Sequence, residues 1–240
     1  MADKFPDADS PGTNTELRPE HAPEWLRPAL DVTGEDVVEV IGERARVDVL
    51  PSARSAAVLM LLGGTSMEDA TVLLTHRSPH LRSHSGQIAF PGGKIDPPDV
   101  NVVDAALREA WEETGLDRTT VTPLAHWGET FVPVRGNRIN AVLAHWSTPS
   151  PVGVVNQEEA DDVFVLPVSE LLDPENRLML AWDKWTSPSF RINDYIIWGF
   201  TAAALTTLFN KTGWEREWDQ DKHFDLHETI AASRNNERRV

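Results

Sequence analysis

Three glutamates are crowded into one short stretch of the chain. Glu109, Glu112 and Glu113 follow Arg108 within the run REAWEETG at 108–115. Residues three and four apart are neighbours on a helix, so a helix here would place the three carboxylates on one face, where like charges repel. A divalent cation offsets that repulsion, because Mg²⁺ and Mn²⁺ prefer carboxylate oxygens and complete their shells with water and substrate phosphates. The spacing indicates a metal site for phosphate chemistry, with a solvent-exposed acidic face as the commoner alternative.

The residues around the glutamates predict a helix over 100–114. Its opposite side carries an apolar stripe at helical spacing, made of Val103, Ala106, Leu107, Ala110 and Trp111. Gly115 follows the last helical residue, as is typical of a C-terminal cap. This helix is therefore expected to pack on one side and to concentrate charge on the other.

Short apolar runs separated by turn residues predict strands in the rest of the chain. We expect strands at 56–62, 70–75, 87–90, 121–131, 139–146 and 162–167, and helices at 168–172 and 198–208. Strands and helices in this order are typical of an α/β/α sandwich. Residues 1–30, rich in Pro, Asp and Glu, are expected to form a loose tail, residues 31–210 the folded domain, and residues 211–240 a charged extension.

Composition excludes several classes of protein. The chain has 240 residues and no cysteine, which excludes disulfides, thiolate metal sites and a cysteine nucleophile. Its 22 basic against 38 acidic residues leave a net charge of −16, which repels nucleic acid phosphates, so no nucleic acid partner is expected. No apolar run approaches the about 20 residues of a membrane span, and the N-terminus lacks the order of a secretory signal. We therefore expect a cytoplasmic protein without a membrane partner.

The acidic run resembles the signature of Nudix hydrolases. That signature reads Gly, five residues, Glu, seven residues, and then Arg-Glu-apolar-x-Glu-Glu-x-Gly-apolar. This chain matches it from Arg108 to Leu116, but it has Asp99 where the first Glu is expected and one extra residue before Arg108. Both departures also occur in the branch similar to coenzyme A pyrophosphatases. A second pattern of that branch, from Leu-Leu-Thr-x-Arg-Ser to Phe-Pro-Gly-Gly, is complete over 73–93.

The resemblance covers about residues 53–210 and implies a Nudix α/β/α sandwich with a mixed β-sheet. It implies metal-dependent hydrolysis, with Glu109, Glu112 and Glu113 as ligands of Mg²⁺ or Mn²⁺. Arg108 is expected to hold one of these carboxylates in place. Glu112 or Glu159 would deprotonate the attacking water.

The run at 73–93 would bind the substrate. Arg77 and Arg82 are expected to contact phosphate, because guanidinium groups match phosphate oxygens bidentately. Gly92 and Gly93 would form a tight turn that side chains would obstruct. Asp99 would either cap the helix or support Arg108.

The implied substrate is coenzyme A or acyl-CoA, cut to 3′,5′-ADP and 4′-phosphopantetheine or its acyl form. Segment 130–137, TFVPVRGN, departs from the family pattern at a place that shapes the pocket in relatives. Two alternatives therefore stay open. The first is hydrolysis of another nucleoside diphosphate derivative, such as ADP-ribose, NADH or a nucleotide sugar. The second is a non-catalytic module that binds a nucleotide and regulates a partner. The resemblance also makes a homodimer an expectation.

Overall fold

A mixed β-sheet forms the centre of the computed structural model, which describes residues 10–42, 54–81, 83–132 and 137–237. Its strands are β1 Arg54–Gly63, β2 Thr71–Arg77, β3 Ile88–Ala89, β4 Gly92–Lys94, β5 Val121–Val132, β6 Asn137–Trp146 and β7 Ala160–Pro167. The order is β3-β2-β1-β6-β5, with β4 paired to β1 and β7 paired to β2. Strand β1 runs parallel to β6 and antiparallel to β2 and β4, which confirms the mixed sheet.

Helices cover both faces of this sheet. Along β1, Leu59 and Leu61 pack towards α2 (Val102–Thr114), whereas Met60 and Leu62 belong to the core on the opposite face. That opposite face is covered by α1 (Gly34–Ile41) and α4 (Gly199–Thr212), and a short α3 (Val168–Leu171) follows β7. Because β1 is buried on both faces, its sequence is a continuous apolar run. The predicted α/β/α sandwich is confirmed.

A second sheet was not predicted. It consists of β8 Arg177–Trp182, β9 Trp185–Ile192, β10 Tyr195–Ile197 and β11 His223–Asp225, in the order β10-β9-β8-β11, and α5 (Leu226–Ala231) follows it. Strand β9 contains Pro188 and buries Ser187 and Ser189, so it lacks the apolar alternation that indicates a strand. No helix among the described residues is long and apolar enough to span a bilayer.

The prediction of a loose tail is wrong for residues 10–30. This segment forms 3-10 turns at Pro19–His21 and Glu24–Asp31, and it buries Leu26 and Ala29 in the core beneath the sheet. The Trp127 indole Nε1 donates a hydrogen bond of 3.1 Å to the carbonyl of Ala29. Apolar residues at spacings of three and four inside a Pro-rich and acidic segment were the signal that composition obscured.

The boundary predicted at residue 210 is also wrong. Residues 223–225 form β11, which pairs in parallel with β8, and Leu226 and Ile230 are buried against the second sheet. The C-terminal residues that the structure describes are therefore part of the fold. Their high charge lies on exposed positions such as Asp221, Lys222 and Glu228.

Candidate active site

Helix α2 begins and ends at residues that its own sequence specifies. The Asn101 side chain accepts hydrogen bonds of 3.0 Å from the backbone N–H groups of Val103 and Asp104. At the other end Gly115 adopts a left-handed conformation with φ of 70°, and its N–H donates to the Trp111 carbonyl at 2.8 Å. The predicted glycine cap is confirmed, and the N-terminal cap is Asn101, not Asp99.

Arg108 is the centre of a network that holds the acidic face together. Its guanidinium donates to both carboxylate oxygens of Asp99, at 2.8 and 3.0 Å. It also donates to Glu109 at 2.9 Å, to Glu112 at 3.3 Å and to the carbonyl of Lys94 at 3.0 Å. The hydrogen bond to Asp99 is the main cause that raises the pKa of Arg108. This geometry supports a holding role for Arg108 and shows that Asp99 supports Arg108.

Glu113 is a buried carboxylate whose charge is only partly compensated. The residue is 3% exposed and accepts hydrogen bonds of 3.2 Å from Arg77 Nη1 and from the N–H of Gly92. Burial raises the pKa of Glu113 to about 8 despite these two contacts, and the charges of Glu109 and Glu159 raise it further. Such a group favours either a proton or a bound cation.

Glu109 and Glu159 complete a cluster of four carboxylates. Burial is the largest cause that raises the pKa of Glu109; Arg108 opposes it, and the charges of Glu112 and Glu159 add to it. Glu159 therefore lies within electrostatic range of both Glu109 and Glu113. Its main chain is fixed next to β2, because its carbonyl accepts a 2.9 Å hydrogen bond from the Ser78 N–H. Glu159 follows Glu113 by 46 residues in the sequence (159 − 113), and the fold brings it to the acidic helix.

The four carboxylates have the chemistry of ligands for a divalent cation, but their side chains are not arranged around one point. Within the described part of the chain, no three acidic or histidine side chains already converge on one point where an ion would bind. Glu109 and Glu112 accept hydrogen bonds from Arg108 instead, and Glu113 accepts one from Arg77. The donors are hard oxygen ligands and the buried charge of Glu113 is only partly compensated, so this set would suit Mg²⁺ or Mn²⁺ once its side chains converge.

The two glycines before the helix are required because other atoms lie close to their Cα atoms, and not because the chain turns there. Both lie in β4, where Gly92 pairs with Val58 and Gly93 with Ala57, and neither has a positive φ. The predicted tight turn is therefore wrong. A Cβ atom on Gly93 would lie 2.5 Å from the Glu109 carboxyl carbon, whereas one on Gly92 would lie 2.7 Å from the Val58 Cα. Gly93 leaves room for a site carboxylate, and Gly92 leaves room for β1.

This difference predicts distinct effects for two neighbouring alanine substitutions. Gly93→Ala is expected to displace the Glu109 carboxylate and to weaken Mn²⁺ binding about 10- to 100-fold, with a small change in the melting temperature. Gly92→Ala is the matched control, because its clash is with backbone and is expected to lower the melting temperature markedly. Calorimetric Mn²⁺ titration and thermal unfolding of both variants test this. Unchanged Mn²⁺ affinity in folded Gly93→Ala would contradict it.

An open cleft lies beside the cluster. It is lined by Ser78, His80 and Leu81 from the loop after β2 and by residues 157–159. Glu159 is thus shared between the cleft and the carboxylate cluster. Arg77 faces Glu113, while Arg82 and residues 133–136 lie outside the described residues. Of the run expected to bind substrate, Ser78, His80 and Leu81 line this cleft, whereas Arg77, Gly92 and Gly93 do not.

Comparison with known proteins gives consistent matches over this region. The model of the NUDIX domain matches residues 51–185, which include the acidic helix and the cleft loop. A Schizosaccharomyces pombe protein described as "Probable nudix hydrolase C6G9.05" is 37% identical over 160 residues, 65% of this chain and 55% of that protein. The chain thus spans about half the length of this yeast relative.

Bacterial relatives match over more of their own length. The "Uncharacterized Nudix hydrolase NudL" of Yersinia enterocolitica is 31% identical over 177 residues, 65% of this chain and 82% of that protein. The Escherichia coli protein of the same description is 31% identical over 181 residues, 67% and 83% of the two chains. A solved Nudix hydrolase from M. smegmatis, RenU, aligns at 20% identity over 70% of this chain and 90% of its own, with a TM-score of 0.46.

Proposed function

This chain belongs to the Nudix hydrolase family, and we propose that it hydrolyses the pyrophosphate bond of coenzyme A or acyl-CoA with a divalent cation. The products would be 3′,5′-ADP and 4′-phosphopantetheine or its acyl form. The observation that carries the hydrolytic proposal is the buried and only partly compensated charge of Glu113, next to a cleft that the loop after β2 lines. The complete pattern over 73–93 supports coenzyme A as the substrate.

The acidic helix would hold the cation through Glu109, Glu112 and Glu113. A bound Mg²⁺ or Mn²⁺ supplies neutralisation of phosphate charge and a lower pKa for water. Arg108 keeps Glu109 and Glu112 oriented from behind, through the hydrogen bonds that also join it to Asp99. An orienting group of this kind limits the rotamers available to the ligands before the substrate arrives.

Two groups remain candidates for the base that takes the proton of the attacking water. Glu112 is engaged by Arg108 at 3.3 Å, and its side chain is 39% exposed. Glu159 is half-buried, lines the cleft and lies within electrostatic range of Glu109 and Glu113. We favour Glu159 because a base must reach the water from the substrate side. The water oxygen would bond to one phosphorus, and the bond from that phosphorus to the bridging oxygen would break.

Arg77 would contact the substrate as well as the carboxylate cluster. Its hydrogen bond to Glu113 uses one of the five donors of a guanidinium group, and its side chain is 22% exposed. It is therefore suited to bind a phosphate oxygen when a cation takes over the charge of Glu113. The same role is proposed for Arg82.

Product analysis tests the proposal directly. Purified protein incubated with coenzyme A and Mg²⁺ or Mn²⁺ is expected to release 3′,5′-ADP, resolved by anion-exchange chromatography, and a chelator is expected to abolish the release. Parallel incubations with acetyl-CoA, ADP-ribose and NADH compare the substrates. Turnover of ADP-ribose or NADH without any 3′,5′-ADP from coenzyme A would overturn the substrate assignment. Nucleotide binding without hydrolysis in Mn²⁺ would support the regulatory module.

A further inference from the structure

A C-terminal segment crosses the loop that borders the candidate site. We call residues 233–237 the C-terminal strap; they lie outside the part of the chain that matches the NUDIX domain. His76 Nε2 donates a hydrogen bond of 2.9 Å to the carbonyl of Asn235, over a separation of 159 residues. A Cβ atom on Gly86 would collide with the same carbonyl, so the strap lies directly against this glycine. Gly86 also has a φ of +75°, which favours glycine.

The Asn235 side chain anchors the strap to the second sheet. Its Oδ1 accepts from the N–H of Ile196 at 2.8 Å, and its Nδ2 donates to the carbonyl of Ile196 at 2.9 Å. The residue is 0% exposed, and its Nδ2 also donates to Glu237 at 2.8 Å. A buried amide is costly unless its hydrogen bonds are made, so these partners specify one position for Asn235.

A second anchor follows two residues later. Glu237 Oε1 accepts a hydrogen bond from the Trp198 indole at 2.8 Å, and Gln87 Nε2 donates to Glu237 Oε2 at 3.5 Å. The strap is therefore attached to β10 through Asn235 and to the start of α4 through Glu237. Both attachments lie next to residues of the loop between β2 and β3.

The strap contacts two residues that lie on either side of Arg77, one in β2 and one in the loop between β2 and β3. His76 precedes Arg77 in β2, and Gly86 faces it, because the N–H of Gly86 donates to the Arg77 carbonyl at 2.9 Å. The Arg77 N–H in turn donates to the Gln87 carbonyl at 2.9 Å. The strap thus contacts the two segments that hold the Arg77 backbone, and the Arg77 side chain contacts Glu113 at 3.2 Å.

We propose that Asn235 is a positioning residue that, through His76 and Gly86, sets where Arg77 meets Glu113. The second sheet would then take part in shaping the site, although it lies mostly outside the family segment. The kinetic consequences rest on the proposed function. The consequences for the loop do not, so the two are tested separately.

Hydrogen exchange measured by mass spectrometry tests the structural consequence. In Asn235→Ala, amides of residues 77–88 are expected to exchange about tenfold faster than in the unsubstituted protein. Val37→Ala is the control: it removes buried apolar volume in α1, which packs on α4, β5 and β9. If the loop exchanges no faster in Asn235→Ala than in this control, the proposal is overturned. Should Asn235→Ala not fold, Glu237→Ala removes the second anchor and is judged by the same criterion.

A double-mutant cycle with Arg77 tests the kinetic consequence. Arg77→Ala is expected to lower kcat/KM for coenzyme A substantially in the unsubstituted protein. In the Asn235→Ala background the factor by which Arg77→Ala lowers kcat/KM is expected to be about tenfold smaller, because Arg77 is already displaced there. Additive effects would overturn the positioning role. If the unsubstituted protein hydrolyses neither coenzyme A nor the other nucleotides, the proposed function fails, and the exchange experiment still decides the role of the strap.

Discussion

Glu113→Gln is expected to lower kcat for coenzyme A hydrolysis by about 10³-fold or more while the chain stays folded. Glutamine has the shape of glutamate and can still accept the hydrogen bond from the Gly92 N–H, so the packing at this buried position is retained. It carries no negative charge, so it is a poor ligand for Mg²⁺ or Mn²⁺. Loss of several kcal/mol of metal-dependent stabilisation of the transition state corresponds to this factor. Steady-state kinetics with either cation gives the measurement.

Two comparisons make this result specific to the site. Glu228→Gln removes an exposed carboxylate of α5 and is expected to leave kcat unchanged. Calorimetry is expected to show weaker Mn²⁺ binding in Glu113→Gln, which separates loss of a ligand from a general defect in folding. Near-normal turnover by Glu113→Gln would show that Glu113 is not a ligand of the metal.

Metal-free protein is expected to lose stability as the pH rises from about 5 to 9, and Glu113→Gln is expected to lose much less. The pKa of Glu113 is raised by burial from 4.5 in the unfolded chain to about 8 in the folded one. Between these values the folded state binds more protons than the unfolded state, so the free energy of unfolding falls with increasing pH. Above about 8 the full penalty for a buried carboxylate is present.

The size of this effect is measurable by thermal unfolding. One pKa unit corresponds to about 1.4 kcal/mol, and a protein of this length loses about 2–4 °C of melting temperature per kcal/mol. The difference in melting temperature between unsubstituted protein and Glu113→Gln is therefore expected to widen by about 10–20 °C over this range in the presence of a chelator. Mg²⁺ or Mn²⁺ is expected to remove most of the difference at high pH in the unsubstituted protein. Parallel pH profiles of the two chelated proteins would show that Glu113 is not the group concerned.

The acidic helix could be predicted in detail because its information is local. Carboxylate spacing, the apolar stripe and Gly115 all lie within one stretch of chain, and the structure places the helix at Val102–Thr114. The same applies to β1 and β2, whose apolar runs lie near their observed positions. Residues 10–30 and 173–197 were misassigned or left unassigned. The structure of these segments depends on burial against distant parts of the chain, as for Leu26 and Phe190.

The sequence by itself determined the family resemblance, the three-layer core and the clustering of Glu109, Glu112 and Glu113, because helical periodicity and short motifs act over a few residues. Tertiary structure alone decided the partners of these groups. Arg77 pairs with Glu113 across 36 residues, and Asn235 reaches His76 across 159. It also decided the raised pKa of Glu113, because the sequence does not show that this glutamate is buried beside other carboxylates.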